Sequence, residues 1–214
     1  MSETSGTSNW NVPNALTTLR IVMVPFFAWA LLYDGGEDLL WRWVAWLLFA
    51  LAMLTDKIDG DLARKHGLVT DFGKIADPIA DKAITGMAFV GLAIIHPVLP
   101  AWLWWVVAVV VLVREWSVTL ARLSVAKHVV IAARQSGKVK TVAQSLALGM
   151  FIAPFAELSG VWRVPGLVLS GIAVALLAVA VVLTITSGYE FARDAVTQTR
   201  ERRAERDAQS RQSH

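Results

Sequence analysis

The 214-residue sequence contains no cysteine, which removes disulfide staples and thiolate metal sites from consideration. Charge is scarce as well. Asp, Glu, Lys and Arg together make up 17%, against about 25% in an ordinary water-soluble domain. The first nine residues, MSETSGTSN, hold no lysine or arginine, and no small-residue cleavage site follows the first apolar stretch. That stretch is therefore expected to be a retained helix rather than a secretory leader. No internal repeat recurs along the chain.

Apolar residues are abundant, at 56%, and the mean hydropathy is +0.53. They fall in six blocks, at about 15–33, 39–62, 75–95, 99–123, 139–156 and 164–185. Each is near the roughly 20 residues that cross a bilayer as a helix. The implied fold class is an all-α integral membrane protein with six transmembrane helices. Asn11, Pro13 and Asn14 supply a helix-start signal before the first block, since proline is tolerated in a first turn. Three regions follow: a polar, disordered tail over residues 1–10, a membrane domain over 11–187, and a charged tail over 188–214 that is solvated and partly helical.

The charges between blocks alternate. The first connection carries Asp34, Glu37 and Asp38, the third has no Lys or Arg, and the fifth has only Arg163. The second carries Arg64, Lys65 and Lys74; the fourth carries Arg122, Lys127, Arg134, Lys138 and Lys140; the final tail is rich in arginine. Basic connections stay in the cytoplasm. Both termini are therefore expected to be cytoplasmic in a multi-pass protein of the cell (inner or plasma) membrane. The same pattern accounts for the net charge of +3 and the pI near 9.4 without a nucleic-acid partner. Six of the ten tryptophans (Trp10, Trp41, Trp43, Trp102, Trp104 and Trp105) fall near predicted helix ends, which interfacial anchoring explains.

Four aspartates break this apolar pattern. Asp56, Asp59, Gly60, Ala63 and Arg64 share one helical stripe, and Gly73, Asp77 and Asp81 recur at intervals of four on the next helix. The short connection makes the two helices antiparallel, so their acidic faces are expected to converge. Pro78 either kinks the second helix or occupies its first position behind an Asp77 cap. Ionisable residues inside a membrane mark function. Carboxylates this close stay ionised only with cations among them, and an all-oxygen set suits Mg²⁺, Mn²⁺ or Ca²⁺ rather than zinc. Two such ions form a clamp suited to displacement at phosphorus. Gly60 and Ala63 leave a flat strip for a ligand or for close helix packing. Arg64 is a phosphate contact or an inside anchor. Arg114, Arg122, Lys138 and Lys140 form a candidate basic pocket for a phosphorylated acceptor, although pairing of Arg114 with a carboxylate and plain topology signalling by the lysines explain them too. Intramembrane carboxylates also line divalent-cation transporters, a reading that leaves Gly60, Ala63, Arg64 and Gly73 unexplained.

The array D-x-x-D-G-x-x-A-R-x8-G-x-x-x-D-x-x-x-D, filled here at every position, resembles the signature of the CDP-alcohol phosphotransferases, a family of six-helix membrane enzymes. The resemblance implies that Asp56, Asp59, Asp77 and Asp81 hold two Mg²⁺ or Mn²⁺ ions and that Asp81 is also the general base. It implies that Asp56, Gly60, Ala63, Arg64 and Gly73 receive the CDP group. Residues Asn11 to Arg20, Arg114 with Glu115 and Arg122, and Gly137-Lys138-Val-Lys140-Thr141-x-x-Gln144 are similar to the branch that makes phosphatidylglycerol phosphate. That similarity implies CDP-diacylglycerol as donor and sn-glycerol 3-phosphate as acceptor, bound through Arg114, Arg122, Lys138 and Lys140. Synthases using inositol phosphate, phosphatidylglycerol or serine share the aspartate signature. Family members commonly form homodimers, so a second copy of this chain is an implied partner alongside membrane lipids.

Overall fold

A computed structural model of the chain describes residues 12–66, 70–125 and 135–212. They form six α-helices: α1 (Val12–Leu32), α2 (Leu39–His66), α3 (Asp71–Ile95), α4 (Ala101–Val125), α5 (Gln135–Ile152) and α6 (Arg163–Gln212). Short 3₁₀ turns at Tyr33–Gly36, Phe155–Glu157 and Gly160–Trp162 complete the connections. Six spans are long and apolar enough to cross a membrane, which matches the six hydrophobic blocks. Their outward faces carry large apolar side chains, among them Phe26, Leu40, Trp102, Val113 and Val182. Burial of apolar surface in water does not account for such faces; contact with lipid does.

The core runs between the helices through Phe27, Leu31, Phe49, Ile84, Phe89, Leu92, Trp104, Leu148 and Phe151. α1 packs against both α2 and α3, α3 leans on α4, and α5 pairs with α6. α2 and α3 touch each other only sparingly. α1 thus packs against both helices of the acidic motif, whereas the α2 side chains from residue 59 onward, on which the expected convergence of the acidic faces turns, lie outside the described residues. The α1–α3 approach depends on Gly91, where an added Cβ would lie 2.5 Å from Leu31 Cδ2. Small residues permit this closeness between membrane helices.

Several local expectations change. The N-cap of α3 is Thr70, whose hydroxyl accepts from the Gly73 amide, and Pro78 lies inside the helix. Asp77 therefore does not cap a helix. Trp104 is wholly buried against Phe151, with its indole N–H donated to Pro97 O at 3.1 Å. It is a core residue rather than an interfacial anchor. α6 passes residue 188 without interruption and ends at Gln212.

At the end of the bundle away from the aspartates, Arg42 is buried and donates to Ile152 O, Phe151 O and Gly36 O at 2.8, 2.9 and 3.1 Å. Two of these carbonyls belong to the last turn of α5, whose final C=O groups have no partner within the helix. A cation there also complements the helix dipole. Arg42 thus ties α2 to α5 opposite the acidic end. Gly91→Val is expected to drive a methyl into Leu31 and destabilise the fold by about 1–3 kcal/mol. Thermal unfolding in detergent should show the lower midpoint, and an unchanged midpoint would mean that the α1–α3 contact is slack.

Candidate functional site

The N-terminal half of α1, the end of α2 and the start of α3 lie at the same end of the bundle, and α1 carries a polar stripe there. Asn14, Thr17 and Arg20 recur every three residues, so they fall along one face. All three are buried. Each bonds to a different part of the acidic motif. The Asn14 amide meets Thr70 Oγ1 at 2.9 Å. Thr17 Oγ1 donates to Asp77 Oδ1 at 2.5 Å. Arg20 Nη1 pairs with Asp56 Oδ1 at 2.7 Å, the arginine fully enclosed and the aspartate 42% exposed. Asp56 and Asp77 are thus brought to one stripe of α1, though they sit on different helices.

Gly73 belongs to this junction. A Cβ there would come within 3.0 Å of Asn14 Oδ1, 3.3 Å of Thr70 Oγ1 and 3.7 Å of Asp77 Oδ2. A side chain at this position would press into the α1–α3 seam and the space beside Asp77. One turn beyond Asp77, Asp81 Oδ2 lies 2.7 Å from Lys82 Nζ. The same ammonium is 2.7 Å from Glu115 Oε2 on α4. The other Glu115 oxygen takes Lys140 Nζ from α5 and lies 3.0 Å from Arg114 Nη1. Arg114 Nη2 donates to Ser187 Oγ on α6 at 2.8 Å. A continuous polar network therefore links Asp81 on α3 to α4, α5 and α6. One turn along α5, Gln144 is buried, and its Oε1 has no hydrogen-bond partner among the described residues.

Asp56, Asp77 and Asp81 are thus placed at one end of the bundle, with Arg114 and Lys140 joined to Asp81 through Lys82 and Glu115. Asp59, Gly60, Ala63 and Arg64 lie on the last turns of α2, Arg122 on the last turn of α4 and Lys138 on the first turns of α5. Their side chains lie outside the described residues. Among the described residues no three acidic or histidine side chains are already gathered as a metal cluster. The donor chemistry nevertheless fits hard cations. Every candidate ligand is a carboxylate, and Arg20, Thr17 and Lys82 orient the three described ones. Bound divalent ions would take over part of the charge balance that Arg20 and Lys82 provide.

Sequence reasoning overlooked part of this arrangement. It uses Arg20 only as the end of the Asn11–Arg20 resemblance, gives Thr17 no separate role and does not single out Lys82. The available signal was the Asn14–Thr17–Arg20 spacing, a polar stripe in an otherwise apolar helix.

Comparison with known proteins identifies the family. The profile of the CDP-alcohol phosphatidyltransferase family matches residues 10–186. A probable phosphatidylglycerophosphate synthase of Mycobacterium tuberculosis is 45% identical over 181 residues, covering 85% of this chain and 79% of that protein. A CDP-diacylglycerol–glycerol-3-phosphate 3-phosphatidyltransferase of Bacillus subtilis is 35% identical over 202 residues, covering 85% and 93%. The enzyme of that name from Sodalis glossinidius is 36% identical over 190 residues, covering 85% and 92%.

Replacing Arg20 with Met should leave Asp56 without its enclosed partner and lower stability by roughly 1–3 kcal/mol. Arg20→Lys, which keeps the charge but not the planar fork, should recover part of the loss. Equal melting temperatures for all three proteins would show that the pair contributes nothing to the fold.

Proposed function

This chain belongs to the CDP-alcohol phosphatidyltransferase family, and from that premise we propose that it transfers the phosphatidyl group of CDP-diacylglycerol to sn-glycerol 3-phosphate. The products are phosphatidylglycerol phosphate and CMP. The observation that carries this reading is the junction at one end of the bundle. Carboxylates suited to hard cations stand there beside a network of Lys82, Arg114 and Lys140. The first group suits a diphosphate donor, the second a phosphorylated acceptor.

Asp56, Asp59, Asp77 and Asp81 are the residues that would hold two Mg²⁺ or Mn²⁺ ions, which when bound neutralise the diphosphate. Asp56, Gly60, Ala63, Arg64 and Gly73 receive the CDP group, the small residues letting it approach the α2 backbone. Arg114, Arg122, Lys138 and Lys140 attract the acceptor phosphate and orient its hydroxyl. Asp81 accepts the hydroxyl proton. The acceptor oxygen then bonds to the lipid-side phosphorus, the anhydride P–O bond breaks, and its electron pair leaves with CMP. Thr17 and Arg20 keep Asp77 and Asp56 aimed, which is the positioning that phosphoryl chemistry depends on. Arg64, Arg122, Lys138 and Lys140 flank this end of the bundle, whereas Asp34, Glu37 and Asp38 lie at the opposite end. That charge asymmetry supports a reaction on the cytoplasmic side of the cell membrane.

With CDP-diacylglycerol and labelled glycerol 3-phosphate, CMP release should require both a divalent cation and the acceptor. Asp81→Asn should lower turnover about 100- to 10,000-fold, the usual contribution of a positioned base. Near-normal turnover would remove Asp81 from that role. Arg114→Ala should raise the KM for glycerol 3-phosphate about tenfold while leaving the KM for the lipid nearly unchanged. Equal shifts in both would remove Arg114 from the acceptor pocket.

A further inference from the structure

Lys82 stands between two carboxylates that serve different parts of the site. Its Nζ is 2.7 Å from Asp81 Oδ2 on its own helix and 2.7 Å from Glu115 Oε2 on α4. Glu115 is gripped from the other side by Lys140 on α5 and touched by Arg114. The burial is graded. The side chains of Lys140 and Glu115 are 4% and 7% exposed, whereas those of Lys82 and Arg114 are 17% and 18% exposed. Lys140 and Glu115 are therefore the more enclosed pair, and Lys82 and Arg114 the outer one.

Charge gives this layering a direction. Lys82, Arg114 and Lys140 surround Glu115, so the basic groups outnumber the carboxylate that they share. Asp81 offsets part of that excess only while Lys82 is its partner. A phosphate monoester is doubly anionic or nearly so at neutral pH, and a surplus of basic groups beside Asp81 suits it. Without Glu115, three like charges in a largely enclosed site would repel and separate. Glu115 instead holds two ammonium groups, one on each oxygen, and fixes Lys82 within contact of Asp81.

Building on the transferase reading above, we propose that Lys82 is the cation that draws the phosphate of the acceptor to the base Asp81, and that Glu115 is its positioning residue. The acceptor phosphate binds across Lys82 and Arg114. Lys140 holds Glu115 in place beneath them. The distance from phosphate to base is thereby set by one side chain, because Lys82 follows Asp81 directly in α3. An acceptor without a phosphate has no group to take up their charge. Lys82 and Glu115, neither of which belongs to the aspartate signature, then add to the acceptor choice made by Arg114, Arg122, Lys138 and Lys140.

The test uses full-length protein in detergent, with separate titrations of glycerol 3-phosphate and CDP-diacylglycerol. Lys82→Met should raise the KM for glycerol 3-phosphate about 10- to 100-fold, the loss expected for one charge-assisted contact. The KM for CDP-diacylglycerol should stay within about twofold, and Lys82→Arg should recover much of the acceptor affinity. Glycerol 3-phosphate without added divalent ions should raise the melting temperature of the wild type but not of Lys82→Met. Glu115→Gln should shift the acceptor KM in the same direction by about three- to tenfold, which keeps the proposal testable should Lys82→Met fail to fold. An unchanged acceptor KM in either variant, equal shifts in both KM values, or full thermal protection of Lys82→Met would overturn it. Wild-type protein that neither binds nor consumes glycerol 3-phosphate would overturn the transferase reading itself. An active wild type with an indifferent Lys82→Met would overturn only this assignment.

Discussion

A row of three polar side chains on α1 makes the rest of the site feasible. Asn14, Thr17 and Arg20 lie along one face and bond, respectively, to the cap of α3, to Asp77 and to Asp56. Carboxylates in an apolar bundle must be paired or solvated, because an isolated buried charge is strongly unfavourable. Arg20 is enclosed so completely that it too needs its partner. The two helices that carry the acidic motif are therefore held in register by a third helix outside the motif. A shift of α1 by one turn would break all three bonds together.

The two ends of the bundle solve different problems. At one, Arg42 closes the last turn of α5 through carbonyl oxygens and lies 3.5 Å from Glu157, beside a cavity of about 410 Å³ that Gly36, Ile95 and His96 also line. At the other, the charged groups exceed what structure alone requires: three cations and two carboxylates converge from α3, α4 and α5. A path built to pass cations would not place Lys82, Arg114 and Lys140 beside its acidic groups, since their charge opposes entry. The same arrangement suits a reaction that joins two phosphorylated molecules and must overcome their mutual repulsion.

Much of this was legible in the sequence, for definite reasons. A helix that faces lipid must be apolar over its whole span, so six blocks mark six helices. The aspartates are conspicuous because an apolar environment leaves few reasons to keep them, and their spacing of three and four marks a helical face. Relationships between helices distant in sequence were less legible. Spacing marked the acidic faces of α2 and α3 but gave no sign that α1 packs against both helices. Arg20 near the start of α1 resembles any interfacial arginine until its partner, 36 residues away, is known. Thr70 and Asp77 are both plausible caps, and the backbone selects Thr70. Trp104 sits near a helix start, as interfacial tryptophans do, yet Phe151 on α5 covers it. Glu115 reads as one acidic residue beside Arg114; its contacts with Lys82 and Lys140 depend on how three helices pack.

The central claim is that the aspartates framed by α1 form a site for a pair of hard cations. Titration of Mn²⁺ into the purified protein, followed by electron paramagnetic resonance, tests it most directly. The account predicts two ions per chain with magnetic coupling between them, and loss of that coupling in Asp77→Asn. Failure to bind Mn²⁺, or binding that Asp77→Asn leaves unaltered, would contradict it.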